Sequence, residues 1–141
     1  MSEAKVVLVA KTEDARHALG GSEIVVDVFP FRIGRESRFG VVEGQWKSLE
    51  RRNTDVRASN DLYLIDRSIY LQISRQHCQI EKQDDETFAV RDRGSTCGTA
   101  VGSTRLDAED GETRCPLRTG DMIQLGTEDS PFRYEFEVRQ E

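Results

Sequence analysis

Apolar residues in this chain come in short runs, alternating or continuous, and none sustains a helical period, so the pattern predicts strands joined by loops. Lys5 to Ala10 is β-branched, bounded by polar sequence and reads as a buried strand. Thr12 to Ser22, with Gly20-Gly21, reads as a connecting turn. Glu23 to Val28 and Phe31 to Ile33 are further strands, separated at Pro30, which cannot donate to a ladder. Leu62 to Ile65 and Ile69 to Ile73 continue the series. Cys78 to Glu81 and Thr87 to Arg91 flank Asp84-Asp85 as a hairpin. Met122 to Leu125 and Phe132 to Arg139 complete it, the last placing Phe132, Tyr134, Phe136 and Val138 on one face and charged residues on the other. Many short strands without a long helix predict an all-β, two-sheet sandwich.

Residues 36–60 interrupt the pattern. They alternate nowhere for long, are rich in charge and carry a net +1 against −6 for the whole chain. So long a connection in a compact domain is usually functional or mobile. Trp46 and Leu49, within Gln45 to Arg52, have the spacing of one amphipathic helical turn that could fold onto the sandwich.

Composition narrows the function classes. A length of 141 residues suits a single domain, 1–141. The net charge of −6 opposes a general nucleic-acid binder, which needs a basic field to attract phosphates. No apolar run approaches a bilayer span or a signal-peptide core, which leads us to expect a cytoplasmic protein with no membrane partner. Cys78, Cys97 and Cys115 are odd in number and fit neither a disulfide framework nor a zinc site, so reduced thiols and no metal or other cofactor are expected.

The chemistry concentrates between Ile73 and Arg105. Ser74-Arg75-Gln76-His77 and Gly94-Ser95-Thr96-Cys97-Gly98-Thr99 are hydroxyl, basic and glycine clusters carried on strand ends, and Gly34-Arg35 ends an upstream apolar run. Together they can form an anion pocket: arginines supply charge, hydroxyls hydrogen bonds, and glycines close backbone approach. His77 beside Cys78 suggests a catalytic pair. Consecutive strand residues point to opposite faces, however, and no base, orienter and oxyanion site stand together, so no catalytic residue is assigned. Cys97 likewise has no base in register for a thiol enzyme.

Gly34-Arg35, Ser74-Arg75-x-His77, Asp92-x-Gly94-Ser95-Thr96-x-Gly98-Thr99-x-Val101 and Leu117-x-x-Gly120-Asp121-x-Ile123-x-Leu125-Gly126, in this order, resemble the forkhead-associated (FHA) domain over almost the whole chain. The resemblance implies an FHA-like β-sandwich, possessing recognition loops at one end, that binds a phosphothreonine-containing partner, a serine/threonine kinase substrate. It implies a phosphopeptide site of Arg35, Ser74, Arg75 and Thr96, with flanking residues selected around Cys97, Gly102 and Arg105. Gly34, His77, Asp92, Gly94 and Gly98 would support the loops. The chain departs from the pattern in three places: Cys97 and Gly102 stand where the family commonly has asparagine, and the loop after Arg35 is long. A thiol replaces an amide's paired donor and acceptor poorly. The alternative is therefore a structural or assembly module with a weakened pocket, contacting its partner through residues 36–60.

Overall fold

The computed structural model describes residues 4–36, 39–42, 44–48, 60–84, 86–106 and 113–140, with the backbone alone for 39–42 and 46–48. In chain order the elements are β1 (Ala4–Ala10), α1 (Glu13–Leu19), β2 (Glu23–Val26), β3 (Phe31–Arg35), β4 (Phe39–Val42), β5 (Gln45–Ser48), β6 (Leu62–Leu64), β7 (Cys78–Lys82), β8 (Phe88–Asp92), β9 (Thr99–Val101), β10 (Thr104–Leu106), β11 (Arg114–Leu117), β12 (Met122–Leu125) and β13 (Arg133–Gln140).

Two sheets form the sandwich. One runs β10-β9-β12-β13-β1-β2 and the other β11-β8-β7-β3-β6, with β3 and β6 parallel and the remaining pairs antiparallel. The alternation of β13 does what it predicts: Phe132, Tyr134 and Phe136 are buried, and Phe136 meets Phe88 of the opposite sheet with ring centroids 5.3 Å apart. Leu8, Ile33, Ile80, Val90, Ile123 and Leu125 fill the same core. Each such aliphatic or aromatic side chain contributes about 1.5–3 kcal/mol when fully buried.

Several local expectations are corrected. Thr12 to Ser22 is not simply a turn, because Glu13–Leu19 is a helix. Thr12 caps it by accepting the Ala15 N–H at 3.0 Å, Glu13 and Asp14 complement its N-terminus, and Gly20 closes it. Ala15, Ala18 and Leu19 form its buried face. The helical turn expected over Gln45 to Arg52 is instead a strand from Gln45 to Ser48, which pairs with β4 in a separate hairpin that sets Val41 opposite Trp46. The packing of the Trp46 side chain and residues 49–59 lie outside the described residues. β9, β10 and β11 add strands where the pattern gave none.

The largest correction concerns Ile69 to Ile73, which is not a strand. The Asp66 carboxylate accepts the backbone N–H groups of Gln72 and Ile73 at 2.7 and 2.9 Å and that of Ser68 at 2.8 Å, together with the Ser68 hydroxyl. Those amides are therefore spent on a side chain, and the segment closes as a loop.

Candidate functional site

Three chain segments converge at the end of the sandwich where β3 finishes and β7 begins. The Arg35 N–H donates to the Ser74 carbonyl at 2.9 Å, and Arg35 Nε donates to the Ile73 carbonyl at 2.9 Å. The Ser74 hydroxyl in turn accepts the Thr96 N–H at 2.9 Å, so Arg35, Ser74 and Thr96 are linked directly. Gly34 is required by close approach: a Cβ there would lie 1.9 Å from the Arg75 carbonyl oxygen and 2.5 Å from Asn60 Nδ2.

The Thr96 segment is built on Asp92. Its carboxylate accepts the N–H groups of Gly94 and Ser95, each at 2.8 Å, the Thr99 hydroxyl at 2.7 Å, and the Ser95 hydroxyl. Gly98 has φ 88°, a conformation that a side chain disfavours. A Cβ there would also lie 2.8 Å from Arg105 Nη2.

His77 joins the two loops. Its Nδ1 accepts the Ser74 N–H at 2.9 Å and its Nε2 lies 2.8 Å from the Gly98 carbonyl, an arrangement satisfied by the neutral ring protonated on Nε2. Burial lowers its pKa, outweighing the opposing effects of the Gly98 carbonyl, Asp92 and Asp66. With both nitrogens committed, the ring is a brace. Burial also holds the adjacent Cys78 thiol protonated, so the pair forms no thiolate site. Among the described residues, no cluster of three or more His, Cys, Asp or Glu side chains could hold a metal, and no helix is long and apolar enough to cross a membrane.

The remaining expected residues divide. Arg75 is exposed, and among the described residues its guanidinium has no partner. Thr96 is exposed with its hydroxyl open to a ligand, while the Cys97 thiol reaches the Leu71 carbonyl at 3.5 Å. Arg105 Nη2 is occupied by the carbonyls of Cys97 and Gly126 at 3.0 and 2.6 Å, which makes it a brace of this loop. Gly102 does not join the cluster. It sits in the β9–β10 turn, its N–H on the Met122 carbonyl, at the opposite end of β9 from Gly98 and about 13 Å along an extended strand.

One residue was missed. Asn60 is buried, donates from Nδ2 to the Arg75 carbonyl at 2.7 Å, and accepts from Arg93 Nη1 at 2.6 Å. It positions the Arg75 backbone from the far end of the 36–60 segment. The available signal was a polar amide immediately before the Asp61 that opens β6, which Arg32 grips through Nε and Nη2.

The FHA domain family pattern matches residues 31–126, more than half of the chain. The chain belongs to the FHA domain family. Solved structures agree on the fold. The FHA domain of the CT664 protein from Chlamydia trachomatis is 19% identical with a TM-score of 0.58, the match covering 95% of each chain. The FHA domain of an Arabidopsis thaliana hypothetical protein is 24% identical with a TM-score of 0.57, over 97% of this chain and 86% of that one. Mycobacterium tuberculosis EmbR, solved with a low-affinity phosphopeptide, is 17% identical with a TM-score of 0.54, over 94% of this chain and 24% of that one. No curated protein sequence matches the chain.

Proposed function

We propose that this domain binds a phosphothreonine-containing segment of a partner protein and acts as an interaction module, not as a catalyst. The observation that carries the reading is the direct linkage of Arg35, Ser74 and Thr96, with Arg75 beside them and unpaired among the described residues. A phosphothreonine dianion presents three acceptor oxygens. Arg75 offers the planar fork suited to them, Arg35 the guanidinium N–H groups left after Nε is used, and Ser74 and Thr96 their hydroxyl protons. Each hydrogen bond to a charged group is worth about 1.5–3 kcal/mol. A few of them reach the roughly −8 kcal/mol of micromolar binding. The phosphopeptide bound to EmbR, a structural neighbour, is consistent with this use of the fold.

The phosphorylated partner is proposed to be a serine/threonine kinase substrate in the cytoplasm, a setting in keeping with three free cysteines. Calorimetric titration with one peptide in threonine, phosphoserine and phosphothreonine forms tests the reading. Binding only of the phosphorylated forms, tightest for phosphothreonine and weakened in Arg75→Ala, is expected. Equal binding of the unphosphorylated peptide would defeat it.

A second reading rests on the 36–60 segment. Arg35, the residue before it, is tied to Ser74, and Asn60, its last residue, to Arg75 of the same loop, and it carries its own β4–β5 hairpin. A contact made by that segment would therefore be coupled to the pocket.

A further inference from the structure

The outward face of the five-stranded sheet carries a line of arginines. Phe31, Ile33, Ile80, Val90 and Leu117 point into the core, so Arg32, Gln79, Glu81, Arg91 and Arg114, which alternate with them, point out. The strand register sets Arg32 opposite Gln79, Gln79 opposite Arg91, and Arg91 opposite Arg114. These four form one rung over β3, β7, β8 and β11, about 14 Å long at the usual strand spacing.

Sheet stability does not favour such a rung. Like charges directly opposite on neighbouring strands are destabilising, and Arg91 and Arg114 are such a pair. One carboxylate, Glu81, lies between them. Its Oε1 meets Arg114 Nε at 2.9 Å and its Oε2 accepts from Gln79 Nε2 at 2.7 Å. Arg91 Nε is left 3.5 Å from Glu81, buried and without a hydrogen bond among the described residues. At the other end Asp61 pairs with Arg32 Nε at 3.0 Å, while Arg93 donates to the adjacent Asn60 at 2.6 Å. Four arginines thus meet two carboxylates on this face, a net +2 in a chain of −6. The cations also lie outermost: the Arg91 and Arg114 side chains are 42% and 43% exposed, and that of Glu81 only 17%. Beside Arg114 the face opens into a cleft of about 470 Å³, walled by Phe29, Pro30 and Lys82, whose Nζ stands 5.9 Å over the Phe29 ring.

We propose that this face is a second docking surface, which takes an acidic segment of a protein partner without requiring phosphate, carboxylates lying along the arginine rung and an apolar side chain in the cleft beside Phe29. Guanidinium groups meet carboxylates with paired hydrogen bonds, and an extended segment of four or five residues spans the rung. The occupant follows from charge, since carboxylates supply what one Glu81 shared by two arginines does not. A nucleic acid fits less well, because the net −6 of the chain opposes a long polyanion far more than a short acidic segment. The surface is distinct from the phosphate pocket. Ser74 and Thr96 stand on loops at one end of the sandwich, whereas the rung lies on the sheet face and the cleft reaches Lys82, at the end of β7 remote from Ser74. It therefore stands or falls independently of the phosphothreonine reading.

The test is a fluorescence-anisotropy titration with an unphosphorylated peptide of several glutamates around one phenylalanine, and with the same peptide carrying glutamine for glutamate. Wild type is compared with an Arg91→Gln, Arg114→Gln double variant and with Arg114→Lys. Wild type is expected to bind the glutamate peptide, more weakly as salt rises, and to prefer it to the glutamine peptide by roughly tenfold or more. The double variant should lose about twofold to thirtyfold, the range for two exposed ion pairs, and Arg114→Lys should keep most of the affinity. If the double variant melts well below wild type, Arg114→Gln alone, on the edge strand β11, carries the test with a smaller expected loss. Equal binding by wild type and the variants lacking arginine, or no preference for the glutamate peptide, would overturn the surface and leave phosphate recognition standing. Displacement of the acidic peptide by a phosphothreonine peptide would place it in the pocket and overturn the proposal as well. Tighter binding of a DNA duplex than of the peptide, or self-association that the double variant abolishes, would assign the face to nucleic acid or to a second copy and likewise overturn it.

Discussion

Replacing His77 with alanine removes a buried side chain that joins both loops through its two ring nitrogens. The ring is buried, accepts the Ser74 N–H and contacts the Gly98 carbonyl, so the variant leaves one donor and one acceptor without partners. A buried polar group left unsatisfied costs about 1–3 kcal/mol, which sets the loss at about 2–6 kcal/mol for the two. That is a large share of the roughly 5–15 kcal/mol that holds a domain together. The same geometry fixes a pH dependence. The folded-state pKa of His77 is lowered from 6.5, so below that pH the unfolded chain binds a proton that the folded ring refuses. The contribution of His77 is complete above pH 6.5 and is lost as pH falls from there toward the folded value. The slope is about 1.4 kcal/mol per pH unit. Urea unfolding at about pH 7.5 and 5.5 should show wild type losing stability at the lower pH, and the His77→Ala variant, already destabilised, lacking that loss. A wild-type stability unchanged over this interval, or parallel losses in both proteins, would refute the assignment of His77 as a neutral brace.

Further outcomes are expected at the pocket, at the Asp66 loop and in the 36–60 segment. Arg75→Ala should weaken phosphopeptide binding by about tenfold to a hundredfold without moving the melting temperature, whereas Arg35→Ala should lower both, because Arg35 also holds the Ile73 carbonyl. Cys97→Asn should tighten binding of a phosphothreonine peptide in paired titrations by restoring an amide donor and acceptor; a loss would indicate a different mode of holding the peptide. Burial raises the Asp66 pKa, but its hydrogen bonds from Ser68, Ile73 and Gln72 lower it further, to a net value below 3.8. The loop it closes should stay protected above that pH and open as pH falls below it, read by hydrogen exchange at the Gln72 and Ile73 amides. Replacing Val41 to Arg57 with a short Gly/Ser linker should spare binding of a minimal phosphopeptide and reduce affinity for the full partner protein; equal effects on both ligands would remove the segment from recognition.

The sheets were legible where burial imposed a pattern on the sequence. β13 alternates without a fault, and β1 is a continuous apolar run in which the consecutive Val6, Val7 and Leu8, on both faces of the strand, are all buried. The meeting of Arg35, Ser74 and Thr96 was legible too, since β3, β7 and β9, which these residues adjoin, bring them to one pole. What was hidden depends on side chains acting at a distance. Ile69 to Ile73 has strand composition, yet Asp66 takes two of the amides a ladder would need. Helix α1 is short, and its signals, the Thr12 cap and the Ala15, Ala18 and Leu19 face, are easily lost beside Gly20-Gly21. Asn60 looks like a solvated loop residue, and Arg105 like a peptide contact, until their partners, the carbonyls of Arg75, Cys97 and Gly126, are known.

The most direct test of the pocket is to follow backbone amide shifts in the labelled wild-type domain during titration with a phosphothreonine peptide. The Thr96 N–H sits on the Ser74 hydroxyl, so a phosphate engaging that hydroxyl must perturb both loops together. The account predicts that the largest changes fall on Arg35, Ser74 to His77 and Thr96 to Gly98, and vanish with the unphosphorylated peptide. Changes centred on the β4–β5 hairpin, with Ser74 and Thr96 unmoved, would contradict it.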